Sequence, residues 1–496
     1  MPRLAPGFVP PVAIDARRRT PIYRQLYEWF RTAILTGQLR PGQRVPSTRQ
    51  LATELGLSRI PVLGAYEQLH AEGYLESFVG AGTCVARSIP ERVPLIGRPA
   101  ARHAAARSPN GGGPRRTSRL AGTIFQTDQS WLGNPGAFRI SLPALDQFPS
   151  AVWARLVNRH ARRVTRGMMA YGDPMGDQSL REAIAEYVGA ARAVRCDASQ
   201  VMVTTGSQQG LLVTARVLLD ARDPVWVEDP AYPGARQALL AAGARMVPVP
   251  VDEEGLDVAR GTRASPSARA VYITPSHQHP LGVTMSATRR MTLLDWASHV
   301  GSWIIEDDYD SEYRYDSRPI ASLHSMDADA RVIYVGTFSK VLFPALRLGY
   351  VVVPKDLVPA FAAMRDASDV FSSTLFQAVV NDFIRDGHFA RHIRRMRMVY
   401  MERRQALVDA IRAEAGERLE VVGAAAGLHL AVLLPPGVSD EAVAQRAAAK
   451  GILVTPLSSC YFGPPERGGL ILGYGGVTPH EIREGVRALS GCLPGR

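Results

Sequence analysis

Lysine occurs only three times in 496 residues, at 340, 355 and 450, so amine chemistry has few places to start. Lys340 stands in VGTFSKVLFPALRLGY, just past the strand-like run VIYVG, with Ser339 before it and Arg347 seven residues on. A lysine at the carboxyl edge of a sheet can form a Schiff base with pyridoxal phosphate, and a nearby arginine suits a dianionic phosphate. In WIIEDDYDSEYRY, Asp307 ends another strand-like run. A carboxylate beside the pyridine nitrogen would keep it protonated by charge pairing, which makes the ring an electron sink. Tyr309, two residues further, can donate to the cofactor's phenolic oxygen. In VMVTTGSQQGLLVTARVLL a strand, a small-residue turn and a helix follow one another. Gly206, Ser207 and Gln208 would there present amides and a hydroxyl at the helix N-terminus, a natural phosphate cradle. Tyr232, in VEDPAYPGAR, follows the next strand-like run and can stack on the pyridine face. Each feature alone is common in proteins that bind nothing there; together, in this order, they outline one site.

The elements that must position these residues follow from the pattern. Beyond about residue 121, apolar runs (VMVTT, VWVE, AVYIT, WIIED, VIYVG, YVVV) alternate with helical stretches, which predicts an α/β domain with a mainly parallel sheet. Ligands of such sheets lie beyond the carboxyl ends of the strands, where the candidate residues fall. From 88 to 120 the chain turns to Pro, Gly, Ala, Ser and Arg with no apolar periodicity, the composition of a flexible linker. Ahead of it, Ile22, Leu26, Phe30 and Ile34 recur at helical spacing, TRQLATELG predicts a second helix closed by Gly56, and Ser58 is placed to cap a third helix carrying Val62, Tyr66 and Leu69 inward. Two short strands around ESFV and TCVA make a hairpin. Three helices and a hairpin are the order of a winged helix-turn-helix.

Charge separates the two parts. Residues 1–120 hold 18 arginines, no lysine and seven acidic residues, so about +11 of the chain's net +12 lies there. A basic N-terminal part with this element order points to an anionic polymer as partner. The four cysteines are scattered, without metal or disulfide spacing, and read as reduced thiols; no metal site is expected. No apolar run is long enough to span a membrane, and a cytoplasmic location is expected.

The segment RPGQRVPSTRQLATELGLSRIPVLGAYEQLHAEGYLESFVGAGTCVA resembles the GntR family of winged helix-turn-helix regulators. The resemblance implies contact with a double-stranded DNA operator through Arg49, Ser58 and Arg59, with Gly82 letting the wing approach the duplex. Many relatives carry Asn-Thr after the Ser-Arg pair, whereas here Ile60 and Pro61 follow. From about 140 to 490, with AYGDPMGDQSLREAIAEYV and TPSHQHPLGVTMS in the expected order, the chain looks like fold-type I aminotransferases. The combination resembles the MocR regulators. It implies three parts: a reader at 15–87, a linker at 88–120, and an aminotransferase-like domain at 121–496 that binds pyridoxal phosphate. It also implies a homodimer paired through the large domains.

Two departures from aminotransferases bear on activity. His279 precedes Pro280 where they carry an asparagine facing the phenolic oxygen, and Ile471, in GLILGYG, falls where they carry the arginine that grips a substrate carboxylate. The reading is therefore a regulator rather than an enzyme, sensing an amine effector or pyridoxal phosphate itself, with residual transamination left open. A sulfonate and an unusual amino acid remain open as effectors. The alternatives are an aminotransferase with an appended reader, or a DNA-binding protein whose large domain is only a dimerisation scaffold.

Overall fold

In the computed structural model the chain divides into two compact units, Met1–Arg115 and Arg116–Arg496. The residues described are 14–15, 20–78, 82–87, 117–118, 120–122, 136–315 and 320–494. Most of the expected linker, 88–120, and the turn residues Gly80 and Ala81 lie outside them.

The first unit is built from α1 (Ile22–Leu35), α2 (Thr48–Glu54) and α3 (Arg59–Ala71), followed by the antiparallel hairpin of β1 (Leu75–Phe78) and β2 (Gly82–Val85). Leu26, Phe30 and Ile34 of α1 meet Leu51, Val62, Tyr66, Leu69 and Val85 in one core, so the helical stripes read in the sequence are the buried faces. The Ser47 side chain caps α2 by accepting from the Gln50 amide at 3.2 Å. Ser58 corrects one expectation. It occupies the N-cap position of α3, but its side chain makes no cap hydrogen bond. The usual donor is the amide three residues into the cap, and here that residue is Pro61, which has no N–H.

The second unit centres on an eight-stranded sheet: β3 (Val201–Thr204), β4 (Pro224–Asp229), β5 (Arg245–Asp252), β6 (Gly255–Leu256), β7 (Ala270–Ile273), β8 (Trp303–Asp308), β9 (Val332–Thr337) and β10 (Gly349–Val352). The spatial order is β3-β10-β9-β8-β7-β4-β5-β6. Pairs β5/β4, β4/β7, β7/β8 and β8/β9 are parallel, whereas β10 runs antiparallel to both neighbours. Helices cover both faces, and β3, β7, β9 and β10 are buried at every position; this is why they read as unbroken apolar runs rather than alternating ones. A second, antiparallel sheet, β11 (Glu420–Val422), β12 (His429–Leu433), β13 (Thr455–Pro456) and β14 (Gly469–Gly473), in the order β11-β12-β14-β13, was not foreseen. Among the described residues no helix is long and apolar enough to cross a membrane.

Candidate functional site

The carboxyl ends of β3, β4, β7, β8 and β9 carry, in turn, Gly206, Tyr232, His277 with His279, Asp307, and Ser339 with Lys340. Parallel strands bring together residues up to 134 positions apart in sequence, from 206 to 340. Lys340 Nζ donates to the Ser141 carbonyl at 3.4 Å. Burial lowers its pKa to about 8, against the pull of Asp310 and Asp307, so its neutral, nucleophilic form is more accessible than that of an ordinary lysine.

Asp307 is buried at the end of β8. Burial pushes its pKa up to about 7, although the Tyr272 hydroxyl donates to its Oδ2 at 2.8 Å. Its other oxygen, Oδ1, is buried with no partner. A carboxylate oxygen left bare in an apolar setting is destabilising unless something donates to it, and a protonated pyridine nitrogen is such a donor. Tyr309 donates to the His277 carbonyl at 2.9 Å, and Tyr232 lies edge-on to His279 with ring centroids 5.4 Å apart. The Ser339 amide donates to Thr337 Oγ1 at 3.1 Å.

The N-terminus of α4 (Ser207–Leu218) begins at Gly206, whose φ of +81° belongs to glycine. A Cβ there would meet Arg347 Nη2 at 2.8 Å, and that guanidinium is held by the Thr205 carbonyl at 3.1 Å. Helix amides and an arginine thus converge, the pattern of a phosphate site. Gln208 contributes only its backbone, because its side chain donates to the Gly234 carbonyl at 2.7 Å. The unpartnered Asp307 oxygen, the lysine and the glycine-floored cradle together fit pyridoxal phosphate.

Sequence reasoning missed three residues here. His277, Asp310 and His429 bring ligand-type atoms within 4.8 Å of one another, all buried. The TPSHQ motif contains His277 and so carried a signal, whereas His429 sits on β12 of the sheet that was not foreseen. Ile471, on β14, is fully buried and packs with Leu457 and Cys460, so the position expected to lack a carboxylate anchor is apolar in fact.

In the first unit Arg49, Ser58 and Arg59 are exposed, and Arg59 Nε donates to Thr48 Oγ1 at 3.3 Å, which draws the start of α3 to the start of α2. Gly82, at φ +84°, opens β2, and a Cβ there would meet the Arg44 guanidinium at 2.9 Å. Arg44 is a basic residue at the wing that the sequence reading passed over. Ile60 is 80% exposed, so the departure from Asn-Thr leaves apolar surface at the head of α3.

A winged helix reader and an aminotransferase-fold unit on one chain define the class. Residues 22–85 match the bacterial regulatory proteins of the gntR family, and residues 139–489 match the class I and II aminotransferases. The chain is 40% identical over 492 residues to the probable rhizopine catabolism regulatory protein MocR of Rhizobium meliloti, covering 97% of this chain and 98% of that one. It is 33% identical over 485 residues to the uncharacterised HTH-type transcriptional regulator YhdI of Bacillus subtilis, covering 96% of each. Its fold resembles the α-aminoadipate aminotransferase LysN of Thermus thermophilus, solved with N-(5'-phosphopyridoxyl)-L-leucine, at a TM-score of 0.71 and 30% identity over 76% of this chain and 97% of that one. The chain belongs to the MocR-type transcription regulators, GntR readers fused to an aminotransferase-like domain. The regulators match along nearly the whole chain and this aminotransferase only along the large unit, which favours a regulator over an enzyme with an appended reader.

Proposed function

We propose that this regulator binds pyridoxal phosphate at Lys340 and uses it to sense an amine, changing its grip on a double-stranded operator. The observation that carries the reading is the bare, buried Oδ1 of Asp307 beside a lysine whose pKa burial has lowered to about 8. When bound, the cofactor supplies an aldehyde carbon that condenses reversibly with primary amines. Lys340 would hold the cofactor through its side-chain amine, the group that an effector amine would replace. Asp307 would pair with the protonated pyridine nitrogen and keep the proton there, Arg347 with the amides of Gly206, Ser207 and Gln208 would hold the phosphate, Tyr232 would cover the ring, and Tyr309 and Ser339 would border it. Arg49, Ser58, Arg59 and Gly82 meet the DNA.

The working arrangement is a homodimer in the cytoplasm, paired through large domains at 121–496, with readers at 15–87 and connectors at 88–120. Met169 and Tyr171, 72% and 88% exposed, leave apolar surface that pairing would bury. An effector shifts DNA affinity only through different affinities for two states of that dimer. The apolar surroundings of Ile471 speak against turnover of ordinary amino acids, because a carboxylate there has no bidentate partner.

The test is Lys340→Ala. It should abolish the visible absorbance of the lysine-bound cofactor and any amine-dependent change in binding to the gene's own upstream DNA, while amine-free DNA binding persists. A variant that still responds to amines sinks the reading. Steady amino transfer from amino acids to a 2-oxo acid by the wild type would favour the enzyme instead.

A further inference from the structure

Helix α3 turns an apolar side chain straight out of the reader. Val62, Ala65, Tyr66 and Leu69 form its buried face, and at 3.6 residues per turn Ile60 falls on the opposite side. Ile60 is 80% exposed, and Leu63, nearly one turn on, is 40% exposed. A single exposed apolar residue is ordinary on a protein surface and by itself asks for no partner.

The second observation is Gly64, four residues past Ile60 on the same face. It lies in the middle of α3, where glycine weakens a helix relative to alanine. The reader's own packing does not require it. Among the described residues a Cβ there would meet only the Cβ of Tyr23, at 3.9 Å, which is ordinary van der Waals contact. A bare stretch of backbone that the fold does not demand fits the close approach of something outside the fold. Ile60 and Gly64 thus make a projecting side chain with a gap one turn behind it.

The surroundings decide what approaches. Arg59 directly precedes Ile60, and its Nε bond to Thr48 Oγ1 at 3.3 Å holds the head of α3 beside the head of α2, where Arg49 is also exposed. The acidic residue of α3, Glu67, lies seven positions past Ile60, about 10 Å further along the axis. The projecting end is therefore basic around an apolar tip, which suits a groove walled by phosphates. Inside that groove Ile60 has little choice. Isoleucine has no side-chain donor or acceptor, and Pro61 beside it has no N–H, so these two positions offer base edges no polar side chain. The apolar group that bases present in the major groove is the C5-methyl of thymine.

We infer that Ile60 sets operator specificity by packing against the C5-methyl of a thymine in the major groove, with Gly64 leaving room for the helix to approach. The inference rests on the proposed contact between reader and operator and names the base that one residue reads.

The experiment compares binding of the full-length protein to the gene's own upstream DNA prepared with thymine and with uracil throughout. Uracil lacks only the methyl and keeps the base pair. The wild type should bind uracil DNA at least about fourfold more weakly, the worth of one buried methyl. Ile60→Ala should weaken binding to thymine DNA and cut that thymine-to-uracil preference by about threefold or more, whereas Ile60→Val, which keeps a branched apolar head, should retain most of it. Gly64→Ala should raise the melting temperature, as alanine in a helix does, and yet bind thymine DNA severalfold more weakly. Because Ile60 is exposed, its replacements leave the core of the reader intact. Equal binding of the two DNAs by the wild type overturns the inference, as does an unchanged preference in Ile60→Ala. Equal weakening on both DNAs in Ile60→Ala also overturns it, and would mean that the apolar tip meets protein, such as a second copy of this chain, rather than a base. Full affinity in a stabilised Gly64→Ala overturns the close approach. In all of these outcomes the upstream DNA is still bound, so the operator reading stands. If the wild type does not prefer that DNA to an unrelated fragment of equal length, the operator reading itself fails and takes the inference with it.

Discussion

The reader and the amine site put polar groups to opposite uses. The reader keeps the groups proposed to meet DNA in water: Arg49, Ser58 and Arg59 are exposed, clustered within 11 residues, and supported by a small core of α1 to α3. The amine site takes its groups out of water, drawing Lys340, Asp307, His277 and His429 from four separate strands or loops into one pocket and leaving several of their atoms bare. The difference teaches where free energy is stored. Exposed arginines act by releasing counterions from phosphate and ask little of the fold. Buried carboxylates, imidazoles and a lysine carry desolvation penalties that the fold must absorb and that a ligand can relieve.

That contrast can be broken by experiment. The largest effect should come from Arg59→Ala, which is expected to weaken operator binding by tenfold or more and reduce the salt slope by about one, the signature of a lost phosphate contact. Gel-shift titration at several salt concentrations reads it, and the visible spectrum of the loaded protein should not change. Gly206→Ala comes next. A methyl at φ +81° and 2.8 Å from Arg347 should loosen the phosphate cradle, so that dialysis strips the cofactor severalfold faster, with DNA binding in the absence of amine unaffected.

A third, smaller effect is the pH dependence of the cofactor-free protein. Burial raises Glu228 and Asp307 to about 7 from ordinary carboxylate values of 4.5 and 3.8. The native state therefore holds protons that the unfolded chain releases. Stability from these groups is complete below about pH 4 and is lost as the pH rises towards 7. Asp307→Asn should flatten part of that slope in thermal melts, and saturating cofactor should flatten it as well, since a pyridinium partner stabilises the carboxylate. An unchanged slope in Asp307→Asn would show that Asp307 is not the desolvated group described above. Ser58→Ala should give the smallest effect. A side chain that caps nothing should change the melting free energy by less than about 0.5 kcal/mol, against the ~1 kcal/mol usual for a lost cap, yet DNA affinity should fall.

Legibility in the sequence followed the same divide. The stripe Leu26, Phe30, Ile34 and the glycine stops predicted the reader's helices because helix formation and capping are decided within a few residues. Ser58 does take the N-cap position, but without a side-chain bond, and Pro61 three residues on has no N–H to donate to it. The runs that became β3, β4 and β7 to β10 were legible because burial on both faces leaves mostly apolar residues, with the acidic ones gathered at the carboxyl ends of β4 and β8. The antiparallel sheet of β11 to β14 was not: β12 and β14 are buried like the strands of the large sheet, but β11 and β13 span only three and two residues, too short to show a pattern when read alone.

By itself the sequence determined the order of parts, the charge division, the lysine, the phosphate turn, and the absence of an arginine at position 471. These depend on local residue types and on spacing along the chain. Only the tertiary structure decided that Asp307 keeps one oxygen bare, that Gly427 lets β12 lean on His277, and that His429 ends beside a histidine 152 positions earlier. Such facts arise from burial and from contacts across the fold, where desolvation and close packing, rather than neighbouring residues, set what each side chain can do.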